Sequence, residues 1–192
     1  GEFLQVFLKF KNIKTVYAFE PQIEIFKILS KNLKKYKHIK KNNIALGAKS
    51  GNKKIYINKL TSTSTLCNVN EKSFFLKIKK ILLQYNDSLL NNYLVKTSSI
   101  DIFFKNINLS GALLKIDVEG FEYNVLLGSK KSIHKIKYIL IEKQFFNLHQ
   151  GYNFNMSHKF MLKNNFILVK KFIFPLMNFE DRLYINSNYK IK

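Results

Sequence analysis

Three carboxylates, Asp117, Glu119 and Glu122, stand within six residues of one another in a chain of 192 residues that has only 12 acidic residues. They follow the apolar run Leu113-Leu114-Lys115-Ile116 and flank Gly120. Side chains of this type accept hydrogen bonds from hydroxyls, take up protons, or ligate hard cations. Two further acids occupy the same kind of place: Glu20 closes Thr15-Val16-Tyr17-Ala18-Phe19, and Glu142 closes Tyr138-Ile139-Leu140-Ile141. An apolar run that ends in an acid is the pattern of a buried parallel strand where it leaves the sheet toward a helix. In open α/β sheets ligands bind outside the carboxyl ends of such strands, so Glu20, Asp117 and Glu142 are expected along one rim. A plainer local reading stands beside it: Asp117 caps the next helix, and Glu119 and Glu122 favour its positive N-terminus.

The elements that must carry these acids can be read from spacing. Phe3, Leu4, Phe7, Leu8 and Phe10 predict an amphipathic helix over residues 2–11. The strand at 15–19 leads through Pro21 into a helix with Ile25, Phe26, Leu29 and Leu33 inside and Lys27, Lys31, Lys34 and Lys35 outside. Asn43-Ile44-Ala45-Leu46-Gly47 and Lys53-Lys54-Ile55-Tyr56-Ile57 predict strands on either side of the turn Ser50-Gly51-Asn52. A polar loop at 61–65 precedes an inserted helical segment at about 68–92, where residues 71–90 set an apolar face against lysines. Strands follow at 93–96, 113–116, 138–142, 166–169 and 183–186. Helices start at Ser98-Ser99-Ile100-Asp101, close near Gly128, and cover 155–164. The order predicts a single α/β domain over 1–192, its sheet mostly parallel with helices on both faces and an antiparallel edge pair at the end.

Composition narrows the function classes. With 46% apolar residues the chain is not mainly disordered. The net charge of +21 rests almost wholly on lysines dispersed along the chain, with Arg182 the only arginine. A phosphate-reading surface favours guanidinium forks, so no specific nucleic-acid partner is expected. The lone Cys67 excludes an internal disulfide, and no nearby histidine is placed to activate it. No apolar run approaches 18 residues and no secretion signal is seen, so a soluble, cytoplasmic protein is expected.

Taken in chain order, Ala18-Phe19-Glu20-Pro21, Asn43-Ile44-Ala45-Leu46, Thr63-Ser64-Thr65-Leu66, Ser99-Ile100-Asp101, Lys115 through Glu122, Val125-Leu126-Leu127-Gly128 and Leu140-Ile141-Glu142 resemble the FkbM-type S-adenosylmethionine-dependent methyltransferases. The resemblance covers residues 1 to about 142. It implies a Rossmann-like class I methyltransferase sheet, S-adenosylmethionine as cofactor, and a small-molecule or glycan acceptor methylated on a hydroxyl of a sugar, glycan or secondary metabolite. Family members carry a first strand and an Asp-x-Gly-Ala-Asn-x-Gly loop ahead of the Phe-Glu-Pro strand. Only Gly1 corresponds to it here, which implies a domain lacking its first strand and most of its glycine loop. The cofactor contacts so implied are Gly1, Glu20, Pro21, Asn43, Ala45 and Asp117, with Glu20 on the ribose hydroxyls and Asn43 and Ala45 near the adenine. Asp117 or Glu119 would act as base or orienter at the acceptor, and Glu142 would orient the acceptor or cap the next element. Asp117, Glu119 and Glu142 are hard ligands, but the four histidines lack ligand spacing and a sulfonium is electrophilic without help, so no metal is expected. A different class of function, a non-catalytic α/β remnant serving as a binding or assembly module, fits the missing loop.

Overall fold

The computed structural model describes residues 4, 13–57, 65–67, 92–145, 152–173 and 179–189. Gly1, the helices expected over 2–11 (Leu4 apart) and 71–90, and most of the 61–65 loop lie outside these residues.

Strand β1 (Val16–Phe19) runs parallel to β2 (Ile39–Asn42), in register from Val16↔Ile39 to Phe19↔Asn42. Helix α1 (Ile23–Asn32) joins them, with Glu24 in its first turn and Lys31 in its last, the arrangement that complements the helix dipole. Its apolar stripe is thin: Ile25, Phe26 and Leu29 are half-buried, whereas Ile23 and Ile28 are exposed. The helix stops before Lys34 because the Leu33 N–H closes the last turn and the Tyr36 N–H then bonds the Leu33 carbonyl, turning the chain into β2.

Strands β3 (Ala45–Leu46), β4 (Gly51–Tyr56) and β5 (Asn92–Ser98) form a second sheet with β5 in the middle. The connection from β3 to β4 is far too short for the crossover that parallel neighbours require. The two strands therefore run in opposite senses, β3 parallel and β4 antiparallel to β5. In the third sheet β6 (Ala112–Ile116), β7 (Ile136–Gln144), β8 (Phe166–Ile173) and β9 (Phe179–Asn186) take the order β6-β7-β9-β8. Here β6 and β7 are parallel, and β9 is antiparallel to both of its neighbours.

The antiparallel closing pair expected from the sequence is present as β8–β9. The expected single, mostly parallel sheet is corrected: the described strands form three sheets, with antiparallel pairing also at β4–β5 and β7–β9. The outermost strand, β8, has a register shift against β9 between Leu168 and Lys170, and its Ile167, Val169 and Ile173 are exposed beside Lys170 and Lys171.

Three helices complete the described frame. Helix α2 (Ile100–Phe103) is capped by Ser99, whose Oγ accepts from the Ile102 N–H at 3.2 Å. Helix α3 (Glu122–Leu127) follows β6, and α4 (Phe154–Lys163) starts at Asn153, whose Oδ1 accepts from the Asn155 N–H at 3.0 Å. The core closes on Ile116 of β6, Leu126 of α3, Ile139 and Ile141 of β7, Met161 of α4 and Tyr184 of β9. Each aliphatic side chain so buried contributes roughly 1.5–3 kcal/mol. Tyr17 and Phe19 of β1 meet Phe104 and Phe103 edge-on, at centroid separations of 5.0 and 4.9 Å, and so dock the first sheet on the end of α2.

Two contacts fix α3 against its surroundings. Gly128 caps the helix, and a Cβ added there would lie 2.1 Å from the Gly47 carbonyl oxygen, so only glycine permits this approach. The Asp101 carboxylate accepts from the Lys131 N–H (2.9 Å), the Ser132 N–H (2.9 Å) and the Ser132 hydroxyl (2.6 Å), tying α2 to the turn after α3.

Candidate active site

The site is built where β6 ends. After Asp117 and Val118 the backbone passes through two consecutive positive φ values, 51° at Glu119 and 92° at Gly120. Glycine adopts such a φ freely, but at Glu119 it costs on the order of 1 kcal/mol or more and persists only because neighbours hold it. Thr65 donates its hydroxyl to the Glu119 carbonyl at 2.5 Å, Cys67 donates its thiol to the Gly120 carbonyl at 3.3 Å, and the Gly120 N–H donates to Glu122 Oε1 at 3.0 Å. The strained turn brings Glu119 to Asp117 and Glu142, so that one carboxylate oxygen from each of the three lies within 4.8 Å of the others. Gln144 Nε2 donates to Glu119 Oε2 at 2.7 Å and reaches Glu142 Oε1 at 3.5 Å. On the other flank Lys115 Nζ lies 2.7 Å from Asp181 Oδ1 and 3.5 Å from Asp117 Oδ2. Asp181 reaches the cluster because β9 pairs it with Glu142.

Crowded acids in a dry setting hold their protons. Glu142, only 6% exposed, is pushed up to about 8, first by burial and then by Asp117 and Glu119, against the pull of Lys115. Asp117 is also raised, first by desolvation, with Lys115 opposing and Glu119 and Asp181 adding. Its side chain keeps 46% of its surface in solvent, and water screens these neighbours. At neutral pH the buried member therefore carries a proton, and Asp117 is the member that faces out.

A cavity of about 640 Å³ is lined by Gly120 and Glu122 of the same turn, by Phe121, Tyr123 and Tyr152 among others, and by Lys53, Lys54 and Tyr56 of β4; none of Asp117, Glu119 and Glu142 lines it. The Tyr152 hydroxyl accepts from the Gln144 N–H at 2.8 Å, which places the cavity wall against the strand that carries Glu142. Burial, then Glu122, raises the Tyr152 hydroxyl well above its ordinary value.

Glu20, Pro21 and Asn43 form a separate local unit. The half-buried Glu20 follows β1, and its Oε1 accepts from the Gln22 N–H at 2.7 Å. Desolvation raises its carboxyl, and the Gln22 hydrogen bond opposes that rise. Asn43 Nδ2 donates to the carbonyls of Glu20 (2.8 Å) and Pro21 (3.1 Å), so its amide sets the shape of that turn. Ala45 is buried at the start of β3. Glu20 ends a strand of the β1–β2 pair, whereas Asp117 and Glu142 belong to the sheet of β6 and β7. The capping reading of Asp117 is corrected: Phe121 is the N-cap of α3, and the acid that binds a backbone N–H at this turn is Glu122.

Some of the constellation had no signal in the linear sequence. Gln144 stands two residues after Glu142 on the same face of β7, a spacing that strand periodicity could have flagged. Asp181, Thr65 and Cys67 reach the site only through tertiary pairing. Among the described residues Asp117, Glu119 and Glu142 are also the acids close enough to share a hard cation.

The family model described as the methyltransferase FkbM domain matches residues 1–168. The chain belongs to the FkbM methyltransferase domain family. A crystal structure of methyltransferase FkbM from Methylobacillus flagellatus KT is similar to this FkbM chain with a TM-score of 0.58 and 14% sequence identity, over 96% of this chain and 40% of that one. At that identity the likeness is one of fold, and this FkbM chain spans about 40% of the length of that protein. No curated protein sequence matches it significantly. Among the described residues of the FkbM domain, no helix is long and apolar enough to cross a membrane.

Proposed function

We propose that the chain is an S-adenosylmethionine-dependent methyltransferase domain that methylates a hydroxyl of a sugar, glycan or secondary metabolite. The observation that carries this reading is the cluster of Asp117, Glu119 and Glu142 at the carboxyl ends of two parallel strands, on a turn whose Gly120 and Glu122 line an aromatic cavity. Family membership supplies the methyl-transfer chemistry.

The Glu20 unit suits a nucleoside. One oxygen of Glu20 is taken by the Gln22 N–H, which leaves the other for ribose hydroxyls, and Asn43 holds the turn in place. When bound, S-adenosylmethionine supplies an electrophilic methyl group. Asp117, the outward-facing acid, accepts the proton of the acceptor hydroxyl, a role worth roughly 10²–10⁴ in rate. Lys115 favours its ionised form, while Glu119 and Asp181 make it more basic. Glu142 keeps its proton behind it and spares the cluster a third adjacent charge. Gln144 orients Glu119, and the cavity walls orient the acceptor and exclude water.

Calorimetry with S-adenosylhomocysteine tests the cofactor half. The purified protein should bind it, and Glu20→Ala should weaken binding at least tenfold. Absence of binding heat ends the enzymatic reading, and equal affinity in the variant ends the ribose role of Glu20.

A further inference from the structure

We infer that the cavity that opens between β4 and the start of α3 takes an acceptor carrying an anionic group, with Lys53 and Lys54 of its lining holding that group. The inference rests on the methyltransferase reading only in calling the ligand an acceptor. The argument for the charge comes from the lining itself.

At about 640 Å³ the cavity is of the size that encloses a small ligand such as one or two sugar rings, and Phe121, Tyr123 and Tyr152 give it flat faces on which such rings can stack. Its charges come from two elements. The lysines of the lining, Lys53 and Lys54, are neighbours on β4, and the carboxylate of the lining, Glu122, begins α3. Glu122 is almost fully buried and accepts from the Gly120 N–H, so its carboxyl is fixed in place. Lys53 Nζ stands 4.5 Å from the centroid of the Phe121 ring, which pins one cation to the cavity wall. Cys67 lies in the same lining and feels both fields: burial and then Glu122 push its thiol up, while Lys53 pulls it down.

An anion entering this space meets the Lys53 ammonium over the Phe121 ring. A polyhydroxylated ligand with one anionic substituent suits such a lining. Its charge meets the lysines, and its hydroxyls meet the polar groups of the lining, Asn124, Tyr152 and Asn153 among them. A carboxylate, a phosphate ester and a sulfate ester share this chemistry.

The test is ligand-observed saturation-transfer NMR on the intact chain with glucuronate, glucose 6-phosphate, glucose 6-sulfate and glucose as probes. At least one charged sugar should bind ten or more times tighter than glucose, and the ranking of the three identifies the anion. The double substitution Lys53→Gln with Lys54→Gln should abolish that preference and leave the affinity for glucose unchanged. Lys34→Gln with Lys35→Gln removes the same charge from the exposed turn after α1 and should leave the preference intact. Both pairs are exposed, and circular dichroism verifies that each variant is folded. Equal binding of glucose and the charged sugars, binding of none of the four, or an equal loss in the Lys34/Lys35 control overturns the inference. Radiolabelled methyl transfer to the same sugars separates the two claims. A charged sugar that binds but is never methylated leaves the cavity assignment standing and counts against the methyltransferase reading. Methylation of glucose as efficient as that of the charged sugars does the reverse.

Discussion

Replacing Glu142 by glutamine should make the protein more stable, and by an amount that grows with pH. In the folded chain Glu142 releases its proton at about 8, against an ordinary value of 4.5. Between those values the folded state binds a proton that the unfolded chain has lost. Stability contributed by the neutral carboxyl is therefore complete below pH 4.5 and drains away as pH rises toward 8. At about 1.36 kcal/mol per pH unit, the gap corresponds to roughly 5 kcal/mol by pH 8.5, and to about 3 kcal/mol at pH 7. Glutamine has nearly the same shape, keeps the neutral form at every pH, and escapes the loss. Urea unfolding of both proteins at pH 5, 7 and 8.5 measures it. The two should agree within about 1 kcal/mol at pH 5 and diverge steadily above, with the variant ahead. Taking the difference between them cancels every other titrating group that the substitution leaves alone. Two stability curves that stay parallel from pH 5 to 8.5 would refute the claim that burial and the adjacent acids hold a proton on Glu142.

Other expectations follow from the same geometry. Asp117→Asn should lower the turnover of methyl transfer by roughly 10²–10⁴ while shifting the unfolding free energy by less than about 1 kcal/mol, because Lys115 retains Asp181 as its closer partner. Gly128→Ala forces a methyl group to 2.1 Å from a backbone oxygen and should destabilise the fold by about 1–3 kcal/mol in urea unfolding, with the β3 exit displaced. Asp101→Ala strands two backbone donors and a hydroxyl, and a loss of about 2–4 kcal/mol is expected, readable as a lowered melting temperature.

The sequence was most informative where burial is simplest. The runs at 113–116 and 138–142 are apolar because β6 and β7 lie side by side in the core, and both appear as strands close to the expected limits. Strand β2 was missed because Ile39-Lys40-Lys41-Asn42 buries only its isoleucine. A lysine pair in an outer strand of a two-stranded sheet has no alternation to detect. The candidate acids Asp117, Glu119 and Glu142 were legible as strand-end carboxylates, and the structure brings those three together. What could not be read was how Glu119 gets there. Nothing in Asp-Val-Glu-Gly announces that the glutamate, as well as the glycine, takes a left-handed backbone, since the anchors that hold it come from Thr65 and Cys67, more than fifty residues earlier. The same holds for the counter-charges. Asp181 enters because β9 comes back antiparallel along β7, a pairing set by long-range topology.

The slip in register along β8 has an effect away from the active site. A flat outer strand rich in isoleucine and valine offers a ready template on which another chain can zip up, backbone to backbone. The irregularity between Leu168 and Lys170 breaks that straight line of donors and acceptors, and the two lysines that follow set like charges against any second copy of the strand. Smoothing the kink or neutralising Lys170 and Lys171 should leave this apolar border a better template for self-pairing.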